Sequence, residues 1–400
     1  MRSIFLKVLD FIADKVGLLA DLSYSTEAKS MKRLWSSLLC LAGLISCNKP
    51  KGSSNSPLVP DNRPLAATVS TDKFDCSVLD TGIYWFGKGD VAQKASSSTR
   101  STFYDRTKPT VIYVHGWQSA SHSTERRATF NYGKSDPIYG IKVDAADAWI
   151  DAGWNVGIYY WNQISDEISP ITVEDKIWGT NKINWKNCDG TSILVEGEAD
   201  SVVDLFYADY KSALNDYAGP GIRLAGHSAG NQLVTRLAEK LSFSSSDQNI
   251  VPKRVALLDP WWAVTTFVND RPALLRASIL AMKTRGIIFE WYRTSNVNDN
   301  KGSSDNEELI PVIGRTEVEP DYYSSLNVVS RHIAAPFLYF LSFQNPPPRG
   351  CTAPCTDIAP SAATSDVRML EIMKKASVYV QAGGRETPVT GDNTFELKTK

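Results

Sequence analysis

Ser228 lies within Gly226-His227-Ser228-Ala229-Gly230, between a short apolar run, Ile222 to Gly226, and a helical pattern that begins at Asn231. A serine on such a strand-to-helix turn is a candidate nucleophile. The sharp turn lifts its side chain clear of the backbone, and glycines two residues before and after remove Cβ atoms that would clash. The following helix points free N–H groups and the positive end of its dipole at the place where an oxyanion would form. Leu233, Val234, Leu237 and Leu241 give that helix one apolar face for a sheet. The pentapeptide alone arises by chance about 0.1 times in a chain of this length, so the surrounding residues must carry the assignment.

A serine nucleophile needs a base, and the base needs a group to orient it. The chain has four histidines, His115, His122, His227 and His332. His227 precedes the serine on its own strand end and cannot easily fold back onto it, while His115 and His122 lie far upstream. His332 remains, downstream, at the start of an apolar helical segment, Ile333 to Phe343. Asp259 directly follows the apolar strand Arg254 to Leu258 and is closed off by Pro260, a position suited to orienting an imidazole. Asp299, in a polar loop after the Ile287 strand, is the rival acid. With Asp259 the chain order is Ser, Asp, His, the order expected of a hydrolase built on such a turn. Val111 to Val114 end in His115-Gly116-Trp117, where Gly116 lets the backbone turn its amides inward. The N–H groups of Trp117 and Ala229 are the candidate oxyanion donors.

These residues require a frame. Ile83 to Phe86, Thr110 to His115, Trp154 to Trp161, Ile222 to Gly226, Arg254 to Asp259 and Ile287 to Trp291 have strand patterns. Ala145 to Ala152, Ala199 to Tyr217, Asn231 to Leu241 and Pro272 to Lys283 have helical ones. The alternation predicts an α/β fold with a mostly parallel central sheet and helices on both faces, in which sites collect at the carboxyl ends of strands.

His-Gly-Trp after one strand, Gly-His-Ser-Ala-Gly after another and Leu-Asp-Pro after the next resemble the α/β-hydrolase fold, and more narrowly the pancreatic-type lipases and their phospholipase A1 relatives. The resemblance covers about residues 105 to 345 and favours Asp259 over Asp299, because in that family the acid sits within Leu-Asp-Pro. It implies a serine hydrolase of carboxylic esters, a lipase or esterase, in which Ser228 attacks, His332 takes its proton, Asp259 holds the imidazole and no cofactor or metal is needed. An amidase or peptidase would use the same residues, and a binding protein with a dead site would keep the same fold. The chain departs from the family at Ala229, where Leu is usual, and at Trp261 and Trp262, where Ala-Gly is usual. It also has a long segment from Gln163 to Glu198, and only about 55 residues after the His332 helix, too few for the family's terminal β-sandwich.

The 400 residues, 42% of them hydrophobic, suffice for one large α/β domain, and a net charge of −1 gives no sign of a nucleic-acid partner. Eleven Trp and sixteen Tyr are expected to fill the core and the sheet faces. Met31, Lys32 and Arg33 precede a 12-residue apolar run, Leu34 to Ile45, too short to span a bilayer. Leu44-Ile45-Ser46-Cys47 is similar to the lipobox of bacterial lipoproteins, which implies a signal peptide over 31–46, an acylated Cys47 and attachment to a membrane surface. Met31 is then the expected start, with 1–30 a leader of no structural meaning. Asn48 after that cysteine implies the outer membrane. Residues 47–70 read as a tether, 71–345 as the hydrolase domain and 346–400 as an extension packing on it, with an amphipathic helix from Asp366 to Gln381. Export permits disulfides; of the three pairings open to Cys76, Cys188, Cys351 and Cys355, we favour Cys76 with Cys188 and Cys351 with Cys355. Asn296 to Glu308, dense in Asn, Asp and Gly, reads as an exposed loop or part of a lid. Its Gly302 is out of place for a calcium loop.

Overall fold

The computed structural model describes residues 63–400, apart from 136–141, 198, 263–270, 298–306, 319–326, 345–359, 375–376, 384–393 and 400. Residues 31–46, read as a signal peptide, Cys47, the expected pairing of Cys351 with Cys355, Asp299 and most of the Asn296 to Glu308 loop lie outside the described residues.

The strands are β1 (Thr68–Ser70), β2 (Gly82–Gly87), β3 (Val91–Lys94), β4 (Thr110–Val114), β5 (Asn155–Tyr160), β6 (Asn184–Lys186), β7 (Ser192–Leu194), β8 (Ile222–His227), β9 (Arg254–Leu258), β10 (Ile288–Arg293), β11 (Gly314–Glu317), β12 (Ser377–Gly383) and β13 (Thr394–Thr399). The principal helices are α1 (Ala145–Asp151), α2 (Pro170–Trp178), α3 (Val202–Ala213), α4 (Gly230–Phe243), α5 (Arg271–Thr284), α6 (Val328–Leu341) and α7 (Asp366–Met373). Among the described residues one sheet of eleven strands runs in the order β1-β3-β2-β5-β4-β8-β9-β10-β11-β12-β13. From β5 to β12 every pairing is parallel, and the antiparallel pairings are confined to the two ends. β6 and β7 form a separate hairpin.

Strand pleating divides the core. Ile112 and Val114 of β4 face a cluster shared with α2, α3 and α4, while Val111 and Tyr113 face one shared with α1 and α6. Both sheet faces are therefore apolar, and the central strands are buried along their whole length. Leu233, Val234, Leu237 and Leu241 are all buried on the first face, as the pattern predicted, each worth about 2 kcal/mol of transfer from water. Ser201 caps α3 by accepting from the N–H of Asp204, which sets its start at Val202, three residues after the expected Ala199.

The end of the chain differs from expectation. The helix predicted from Asp366 to Gln381 stops at Met373, and Ser377 onward becomes a strand paired in parallel with β11. Val378, Tyr379 and Val380 favour a pleated surface, and β11 would otherwise present an open sheet edge. No helix among the described residues is long and apolar enough to cross a membrane.

Candidate active site

Ser228 has a φ of 54°, the strained conformation expected of the turn between β8 and α4. The flanking glycines are dictated by backbone contact. A Cβ on Gly226 would lie 2.7 Å from the Gly230 oxygen, and one on Gly230 would lie 2.5 Å from the carbonyl oxygens of Val114 and His115. Strand β8, helix α4 and the end of β4 thus meet backbone to backbone, which only glycine permits.

Asn231, which sequence reasoning passed over, locks the turn. Its Nδ2 donates to the carbonyls of Ser228 and Leu258, each at 3.0 Å, and its Oδ1 accepts from the N–H of Leu258 at 3.1 Å. The signal was present: Asn231 is a polar residue in register with Val234 and Ala238 on the buried helix face, so its amide must find partners inside. Through it the serine turn is tied to β9, whose next residue is Asp259.

Asp259 is buried and accepts four hydrogen bonds. Oδ1 takes the N–H groups of Thr294 and Ser295 at 3.1 Å; Oδ2 takes the Ser295 hydroxyl and His332 Nδ1, the latter at 2.6 Å. Loop residues after β10 therefore fix the carboxylate, and the carboxylate fixes the imidazole. His332 does not start its helix as expected. Asn327 caps the helix by accepting from Ser330 N–H at 3.1 Å, so α6 begins at Val328 and His332 lies in its second turn. Pro336, four residues on, has no N–H to offer the His332 carbonyl. That carbonyl instead accepts from His227 Nε2 at 2.9 Å, with the two rings 4.7 Å apart. His227 is buried, and burial beside His332 holds its pKa well below the usual histidine value, so it is a neutral donor.

Asp259 and His332 are thus joined directly, while among the described residues Ser228 Oγ makes no hydrogen bond to His332. The serine is nevertheless adjacent: its N–H and carbonyl pair with Leu258 and Trp261 on either side of Asp259, and its neighbour His227 contacts His332. Catalytic hydrogen bonds of this kind commonly close only with substrate present.

The loop after β4 crosses the serine. A Cβ on Gly116 would lie 2.6 Å from Ser228 Cβ and 3.2 Å from its Oγ. Neither the Trp117 nor the Ala229 amide finds an acceptor among the described residues, so both are free to receive one. The Trp117 indole anchors the loop by donating to the Glu167 carbonyl at 2.7 Å. His115, fully buried against Trp161, donates Nδ1–H to the Gly116 carbonyl at 2.8 Å, and burial pushes its pKa down to about 4. His122 pairs with Asp166 at 2.6 Å and holds the far end of the same loop. Both serve the loop and neither meets Asp259.

The long segment after β5 packs beside this loop. Cys76 and Cys188 form a disulfide, as favoured from the sequence, tying the segment to the start of the domain. From it Trp178 Nε1 donates to Gln232 Oε1 at 2.7 Å, and Gln232 Nε2 reaches Glu174 and the Trp261 carbonyl, bracing the first turn of α4. Among the described residues no group of three His, Cys, Asp or Glu side chains converges as a metal site requires.

No family model and no curated protein matches the chain. Solved structures share a distant likeness. An esterase of Pyrococcus furiosus is 12% identical over 70% of this chain and 98% of its own, with a TM-score of 0.29. A poly(aspartic acid) hydrolase of Sphingomonas is 11% identical over 68% and 85%, at 0.27. A poly(3-hydroxybutyrate) depolymerase of Bordetella parapertussis is 18% identical over 59% and 70%, at 0.24. Scores this low leave the fold to be read from the chain itself. Its mostly parallel sheet, helices on both faces and serine on a strained strand-to-helix turn are those of the α/β-hydrolase fold.

Proposed function

We propose that the protein is a serine hydrolase of carboxylic esters. Ser228 attacks the ester carbonyl as His332 takes its proton, Asp259 holds the imidazole and stabilises its charged form, and the amides of Trp117 and Ala229 receive the oxyanion. His332 then protonates the leaving alcohol, and water, activated by the same histidine, releases the acid and restores Ser228.

The observation that carries this reading is the 2.6 Å bond from His332 Nδ1 to a buried Asp259 that three other donors hold in place, beside a serine at φ 54°. A histidine fixed through Nδ1 presents Nε2 as the free base, which is the tautomer the first step needs. An apolar acyl group, such as lipases and esterases of the resembled family take, is the proposed substrate. The membrane attachment implied by Met31 to Cys47 belongs to the same proposal. Metabolic labelling with a fatty-acid analogue that persists in Cys47→Ala would remove it.

Turnover of p-nitrophenyl esters of increasing acyl length, with Ser228→Ala alongside, tests the activity. We expect hydrolysis that falls by about four orders of magnitude or more in the variant. A wild type that neither turns over any ester nor reacts with a fluorophosphonate defeats the proposal.

A further inference from the structure

A cavity of about 340 Å³ opens at the amino ends of β4, β8 and β9, with Trp154, Ile222, Arg223, Lys253, Phe343 and Thr364 among its walls. Ser228 follows the opposite end of β8, whose six residues put the two places about 20 Å apart. The cavity is therefore separate from the site described above.

Its unusual member is Arg223. The side chain is buried, yet among the described residues no carboxylate lies within ion-pair distance of it. Nη1 donates to the Tyr339 hydroxyl at 3.2 Å and to the Ala362 carbonyl at 2.6 Å, while Nε is buried with no acceptor. The guanidinium lies over the rings of Trp149 and Trp154, at 5.3 and 5.0 Å. Glu290, the acid whose field it feels, is clasped by Arg254 through two bonds of 2.7 and 2.5 Å and by Tyr339. Asp366, the one acid in the cavity wall among the described residues, is also turned to Arg254, at 3.7 Å. Burial, with Arg254 nearby, pulls the Arg223 pKa below the ordinary arginine value. A buried cation is costly unless it is matched, and ring faces and two neutral acceptors match it only in part. Lys253 adds a second cation at the rim, bound to the Pro220 carbonyl and, among the described residues, to no acid.

We propose that this cavity binds a small organic carboxylate. The carboxylate meets Arg223, with Lys253 at the rim, and the apolar body lies against Trp154 and Phe343. The apolar walls suit an anion with a hydrocarbon body better than inorganic phosphate, which would leave Trp154 and Phe343 without a partner.

Isothermal titration of the full chain with hexanoate, hexanamide and inorganic phosphate tests this. We expect hexanoate to saturate one site, hexanamide to bind at least tenfold more weakly, and phosphate not to compete. Arg223→Gln and Ala363→Trp should each weaken hexanoate at least tenfold. Ala363 is an exposed wall residue, so its variant blocks the cavity without disturbing the core and decides the matter if Arg223→Gln does not fold. His332→Ala should bind hexanoate as the wild type does. Absence of saturable binding overturns the proposal. So does binding lost in His332→Ala but kept in Ala363→Trp, which would place it at the serine, or phosphate binding as tight as hexanoate.

Discussion

His227 Nε2 donates a 2.9 Å hydrogen bond to the carbonyl of His332, the carbonyl that Pro336 leaves without a helical donor. The residue before the serine thus holds the backbone of the residue that would serve it as base. His227→Phe keeps the ring volume and removes the donor. We expect kcat on a p-nitrophenyl ester to fall about tenfold to a hundredfold, the scale of a misplaced catalytic group, with KM within twofold. His227→Gln, whose amide can reach the same carbonyl, should recover most of the loss. Equal losses in both variants would assign His227 a packing role alone.

Asp259→Asn keeps the shape of the acid but offers an amide in place of an acceptor to His332. The imidazole then loses its fixed tautomer, and we expect kcat to drop by about four orders of magnitude while the fold survives. Steady-state kinetics and far-UV circular dichroism on one preparation check both parts.

Asn231→Ala strands the buried amide of Leu258 and removes one of the hydrogen bonds that the carbonyls of Ser228 and Leu258 accept, each of which keeps a backbone donor. An unsatisfied buried group costs about 1–3 kcal/mol, so we expect a loss of about 2 kcal/mol in urea unfolding together with lower activity. A variant as stable as the wild type would show that water replaces the amide.

The buried His115, with its pKa pushed down to about 4, makes stability depend on pH. The unfolded chain takes up a proton below about pH 6.5 that the fold refuses until about pH 4, so this contribution is whole above 6.5 and is lost as pH falls. By pH 5 the loss is about 2 kcal/mol. Asp144 and Asp209, pushed up to about 6 by burial, act in the opposite direction, and comparison with His115→Asn at each pH cancels them. The wild type's advantage over that variant should shrink by about 2 kcal/mol between pH 7 and 5. A constant gap in urea denaturation speaks against it.

Cys76 and Cys188 are 112 residues apart, so their bond closes a large loop in the unfolded chain. Reducing it should cost about 2–5 kcal/mol. A thermal unfolding midpoint unmoved by dithiothreitol, with free thiols verified, would count against a stabilising role.

What the sequence determined by itself was local. The Ser228 turn, the run into Gly116, the apolar stripe of α4 and the carboxylate after β9 are each written in a few adjacent residues, because strand and helix periods and glycine contacts act at short range. Only the tertiary structure decided which distant groups meet. The Asp259 bond to His332 spans 73 residues and depends on Thr294 and Ser295, from a third loop, to hold the acid. His227 was set aside as a base on the ground that it cannot reach its own neighbour; its part in holding His332 arises from a proline in another helix. Asp366 to Gln381 has a helical pattern throughout, yet the edge of β11 claims its second half, since pairing with an open strand outweighs a local preference. The cavity at Arg223 was equally invisible, because an arginine's lack of a counter-charge is a property of everything packed around it.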